Sequence, residues 1–70
     1  MERKKVTSSN IDSIGYDSNL AILEIEFLDG GIYQYFNVNE GVYNNLMSAG
    51  SHGKYFNQFI EGNYRFQKIR

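Results

Sequence analysis

The segment from Leu20 to Val38 constrains the fold more than any other part of the chain. Ala21, Leu23, Ile25 and Phe27 alternate with Glu24 and Glu26. Period two with β-branched and aromatic residues specifies a strand that keeps one face apolar. Asp29-Gly30-Gly31 follows, and both glycines accept the positive φ that tight hairpin turns require. Ile32 to Val38, with Tyr33-Gln34-Tyr35 at its centre, is the returning strand.

The hairpin register decides what those tyrosines do. A two-residue Asp29-Gly30 turn pairs Leu28 with Gly31 and sets Tyr33 and Tyr35 on the face of Glu24 and Glu26. A three-residue loop, Leu28-Asp29-Gly30 with Gly30 as the bulge, moves both tyrosines to the face of Leu23, Ile25 and Phe27. A slip of one residue exchanges the faces completely. The bulged register is favoured, because it places Gln34 with the acids and the rings with the aliphatic residues.

Elsewhere the pattern is shorter. Ile11, Ile14 and Tyr16 form a ragged first strand with a bulge expected at Gly15, and Asp17-Ser18-Asn19 is a turn cluster. Beyond Val38 the period changes. Asn39 caps a helix with Val42, Tyr43, Leu46 and Met47 on one side, and Gly50 stops it. Ser51 caps a second helix whose expected buried stripe is Tyr55, Phe56, Phe59 and Ile60, ending at Gly62. Tyr64, Phe66 and Ile69 belong to a terminal strand. The order β-β-β-α-α-β specifies an α+β domain: a small antiparallel sheet with two short helices packed on one face.

Seventy residues make a single domain. With no cysteine and one histidine, His52, neither disulfides nor a thiolate metal site is available, and no cofactor is implied. Stability therefore rests on packing, with six Tyr and five Phe supplying bulk, or on a homodimer that buries leftover apolar surface. The longest apolar run, Leu20 to Leu23, is far short of a membrane span, so a cytoplasmic protein is expected. The net charge of −1 hides a division. Arg3, Lys4 and Lys5 make residues 1–5 a basic extension, and Arg65, Lys68 and Arg70 make a basic end. Between them Lys54 stands against seven acids. Residues 1–5 are expected to be solvated and frayed, and residues 6–70 to form the domain.

The ordered set Ser8-Ser9-Asn10-Ile11, Ile14-Gly15-Tyr16-Asp17, Leu23 to Phe27, Tyr33-Gln34-Tyr35, Asn37-Val38, Val42-Tyr43, Leu46-Met47, Ser51 to Asn57, Ile60 and Tyr64 resembles the KTSC domain. Such domains occur at the C-terminal end of some lysyl-tRNA synthetases and alone in short bacterial and phage proteins. Where they often have Val-Pro before the first helix, this chain has Val38-Asn39. The resemblance implies no established activity. Its tie to a tRNA enzyme implies RNA as a partner by analogy.

Read as an RNA-binding surface, the candidates are Tyr33, Tyr35 and Tyr64 for stacking, with Lys54, Arg65 and Lys68 for phosphate. The acidic body, with pI about 5.7, opposes this. Ser51, Gly53 and Lys54 are the candidates for an anion at the second helix start, against the simpler reading of a serine cap beside a solvated lysine. Asn57 is expected to face the sheet and fasten the Ser8–Asn10 segment. No catalytic set is legible: Ser51-His52 are sequence neighbours rather than facing groups, and Glu24 with Glu26 read as a solvated strand face. The expected role is a non-catalytic accessory module for RNA. The alternative is a protein-interaction or self-association module using a sheet edge and exposed aromatics.

Overall fold

A computed structural model describes residues 1–70. Five antiparallel strands lie in sequence order: β1 (Lys4–Lys5), β2 (Ile11–Asp17), β3 (Ile22–Phe27), β4 (Ile32–Tyr35) and β5 (Phe66–Lys68). Between β4 and β5 come α1 (Glu40–Ser48), α2 (His52–Tyr55) and a wider π-helical turn, Phe56–Ile60. The α+β layout is the expected one, with a first strand added.

The hairpin takes the three-residue loop. Leu23 pairs with Tyr35, Glu24 with Gln34 and Ile25 with Tyr33. Phe27 N–H donates to the Gly31 carbonyl at 2.8 Å, and Gly30 adopts φ 95°. Tyr33 and Tyr35 therefore share the face of Leu23, Ile25 and Phe27. The helices cover that face. Ile11, Ile14, Leu23, Ile25, Leu46 and Ile60 are fully buried between the layers, and Val38, Tyr35 and Phe56 complete the core. Asn39 Oδ1 accepts from Val42 N–H at 3.0 Å, and Ser51 Oγ accepts from Lys54 N–H at 3.2 Å, so both expected caps form. His52 Nδ1 lies 2.9 Å from the Leu46 carbonyl, tying α2 to the end of α1.

Local details depart from expectation. The bulge in β2 lies between Ile11 and Ser13, not at Gly15, which pairs regularly with Glu24. Gly15 serves close approach instead: a Cβ there would stand 2.6 Å from the Glu2 carbonyl oxygen and 3.0 Å from Arg3 Cγ. Residues 3–5 are not frayed. Lys4 pairs with Ile14 and Lys5 with Ser13, which delivers Arg3 to the sheet face opposite the helices.

That face is not a solvated one. Glu24 is 6% exposed. Its carboxylate is paired with Arg3 and accepts from Gln34 Nε2 at 2.8 Å. Arg3 also donates to Glu26 Oε1 at 3.1 Å and to Ser13 Oγ at 2.9 Å, while Arg70 reaches Glu26 Oε2 at 3.0 Å from the other end of the chain. Burial alone would push the Glu24 carboxyl up. The hydrogen bonds from Gln34 and Arg3, with the charge of Arg3, outweigh it and hold the group below the usual carboxylate range. Arg3 and Arg70, from the two basic ends, meet on Glu26, and Lys5 pairs with Asp12, so these three charges are neutralised, whereas Lys4, Arg65 and Lys68 are exposed without an ion pair.

Candidate aromatic cleft

Strand alternation places the candidate site. Tyr33 pairs with Lys68 and Tyr35 with Phe66, so all four side chains point to the helix side at the β5 edge of the sheet. Phe27 comes from the end of β3, beside the hairpin loop. Phe56 descends from the π turn. There the Glu61 N–H reaches back five residues to the Phe56 carbonyl at 2.9 Å.

These five rings close a cycle. Centroid separations are 5.6 Å for Phe27–Tyr33, 5.9 Å for Tyr33–Phe66, 5.8 Å for Phe66–Tyr35, 5.4 Å for Tyr35–Phe56 and 5.4 Å for Phe56–Phe27. The cycle lines an open cleft of about 380 Å³. Tyr35 and Phe56 form its buried floor, at 6% and 3% exposure, and Phe66 is its open wall at 59%. Asn10 and Asp29 line the end near the hairpin loop, and Asn57, Glu61 and Gly62 the end near the π turn. No basic side chain lines the cleft; Lys68 Nζ lies 5.9 Å from the Tyr33 ring centroid. Burial first, then the neighbouring Tyr33 and Glu61, push the Tyr35 phenol up to about 12.

The candidates named from the sequence fall in different places. Tyr33 and Tyr35 line the cleft, and Lys68 sits over Tyr33. Tyr64 is half-buried against the core, and Lys54, Arg65 and Lys68 are exposed. Tyr64, Lys54 and Arg65 do not line the cleft, so the six residues make no single surface there. Of the anion candidates, Ser51 is engaged as the cap, Lys54 is exposed, and Gly53 is buried against the Asn10 carboxamide, which a Cβ would overlap.

Asn57 is exposed and lines the cleft instead of fastening a loop. The π turn is the reason: Phe56 and Ile60 face inward, leaving Asn57 and Phe59 outside. The Ser8–Asn10 segment is held by its own side chains and by the end of β3. Ser8 Oγ accepts from the Ile11 N–H at 3.3 Å, and the Asn10 carbonyl accepts from the Leu28 N–H at 2.9 Å. Sequence reasoning missed Phe27, Phe56 and Phe66 as site residues, together with Asp29 and Glu61. The pairing of Tyr33-Gln34-Tyr35 with an aromatic terminal strand was the one available signal, and only for Phe66.

No cluster of three or more His, Cys, Asp or Glu side chains is placed to hold a metal ion, and no helix is long and apolar enough to cross a membrane.

Comparison with known proteins agrees with this architecture. An uncharacterised protein of Stutzerimonas stutzeri is 41% identical over 70 residues, covering 99% of both chains. The crystal structure of a KTSC domain protein from Yersinia pestis superposes with a TM-score of 0.96 at 45% identity, covering 99% of this chain and 97% of that one. A lysine–tRNA ligase of Nostoc punctiforme is 37% identical over 65 residues; the match spans 93% of this chain but only 12% of the ligase. The KTSC domain family matches residues 7–64, and the chain belongs to that family.

Proposed function

We propose that the domain is a non-catalytic binding module that holds a protein partner in the aromatic cleft beside β5. One observation carries this reading: a cycle of five rings, one of them largely exposed, opens to solvent beside an edge strand. Large rings that leave part of their surface wet are the usual anchors of protein contacts. The carboxylates of Asp29 and Glu61 disfavour a polyanion in the same place. Glu24 and Glu26, read from the sequence as a solvated face, are instead engaged with arginines on the opposite face.

RNA is the second reading. Lysine–tRNA ligases carry a segment similar to this chain, and Lys68 over Tyr33 pairs a cation with a stacking platform.

Selection of random peptides by display on the immobilised domain, followed by NMR titration of the labelled domain with the selected peptides, separates the two. The protein reading expects shifts centred on Phe27, Tyr33 and Phe66. Selection that yields no binder, together with salt-sensitive shifts at Tyr33 and Lys68 on adding short single-stranded RNA, would establish the RNA reading in its place.

A further inference from the structure

We infer that the cleft accepts an organic cation, the ammonium or guanidinium of a lysine or arginine side chain on the protein partner. The inference rests on the protein-binding reading and specifies its chemistry.

Aromatic rings present a negative face, and a cation over that face is attracted by the ring quadrupole. Here five rings surround one space of about 380 Å³, large enough for a long side chain. Their polar neighbours sharpen the preference. Asp29 and Glu61, both acidic, line the cleft, and no Lys, Arg or His does; the nearby Lys68 Nζ lies 5.9 Å from the Tyr33 ring centroid. Asn57, exposed in the lining, adds an amide oxygen that can accept a hydrogen bond from an N–H donor. A lysine or arginine stem packs against apolar surface while its charged head seeks a polar partner. The cleft offers both, ring walls and two carboxylates. A purely aliphatic guest would leave both carboxylates without a counter-charge. A phosphate would meet repulsion from both.

The test uses short acetylated, amidated peptides that differ at one central residue: arginine, lysine, trimethyllysine or the neutral norleucine. The labelled domain is titrated with each by NMR. The expected result is that the cationic peptides shift Phe27, Tyr33 and Phe66 ring signals, and that norleucine binds at least about fivefold more weakly, given a cation–π gain at partly exposed rings. Asp29→Asn keeps the Oδ1 that accepts from Gly31 N–H at 2.9 Å, and Glu61→Gln alters an exposed side chain, so both variants should fold. Together they should weaken cationic binding by roughly threefold to tenfold and leave norleucine unchanged. Free methylammonium and guanidinium at the same concentrations should bind far more weakly, lacking the stem.

Equal binding of norleucine would overturn the cation while leaving protein docking in place. Peptides that bind away from the cleft, or single-stranded RNA that shifts the cleft rings while no peptide does, would overturn both. Unchanged cationic affinity in the double variant would also overturn the inference, because the carboxylates would then have no part in recognition.

Discussion

The two faces of this sheet handle polar groups in opposite ways. On the face away from the helices, Arg3, Ser13, Glu24, Gln34, Glu26 and Arg70 saturate one another, and no buried side-chain polar atom is left without a partner. On the helix side, near β5, rings pack edge to face and leave a cleft whose carboxylates have no internal counter-charge. One face is closed by the chain's own ends; the other is open.

The largest expected effect comes from opening the closed face. Glu24→Ala leaves Arg3 partly desolvated with one carboxylate fewer, and Gln34 without its acceptor. Breaking a buried pair costs about 3–5 kcal/mol. Because Arg3 retains 23% exposure, the expected loss is nearer 2–3 kcal/mol, checked by urea unfolding. Acid should act through the same group. Its folded-state pKa is depressed, so its contribution is present above the unfolded carboxylate range near pH ~4.3 and is lost as pH falls through the folded value. The fall in stability from pH 6 to pH 3 should be smaller in Glu24→Ala. An unchanged acid profile would mean that Glu24 does not hold the face shut.

Gly15→Ala tests the same closure from the backbone. The new methyl meets the Glu2 carbonyl at 2.6 Å, so β1 must move away and take Arg3 with it. A loss of about 2 kcal/mol is expected, with deprotection of β1 amides in hydrogen exchange. The sequence held part of this. Alternation in Leu23–Phe27 and the isolated polar Gln34 between two tyrosines were enough to choose the hairpin register, because a slip would have buried Gln34 and exposed two rings. Asn39 and Ser51 were readable as caps because capping is local chemistry. Arg3 was not readable, since its carboxylate partners lie more than twenty positions away on another strand. Glu24 and Glu26 looked solvated for the same reason. The cleft was half legible. Tyr33 and Tyr35 follow from the register, whereas Phe56 and Asn57 depend on a π turn that no spacing rule marks.

On the open face the effects on stability shrink. Phe66→Ala removes a ring that is already 59% exposed, and less than about 1 kcal/mol should be lost. A loss comparable to that of Glu24→Ala would make the ring cycle a core rather than a binding surface. Base should discriminate as acid does, but at this face. The Tyr35 phenol is raised to about 12, so its contribution is complete below the unfolded value near pH ~10 and fades as pH rises towards 12. Tyr16 is also raised, by burial and then by the charges of Glu40 and Asp17, so its contribution too is lost as pH rises. Tyr35→Phe should therefore narrow, without abolishing, the drop in thermal midpoint between pH 9 and pH 11.5.

The smallest effect separates the two arginines that meet the same carboxylate. Arg70 reaches Glu26 Oε2 at 3.0 Å, but its side chain is 65% exposed and its other bond, to the Gly30 carbonyl, is long at 3.4 Å. Arg3 sits in a more buried setting, at 23% side-chain exposure, and spans Ser13, Glu24 and Glu26 at once. Exposed ion pairs contribute about 0–1 kcal/mol and are screened by salt. Arg70→Ala should therefore cost less than about 0.5 kcal/mol at moderate salt, against a far larger loss for Arg3→Ala, which strands a buried carboxylate. If the two variants lost equal stability, the seal would belong to both termini alike, and attaching a further segment after Arg70 would be expected to open the face that β1 is here assigned to close.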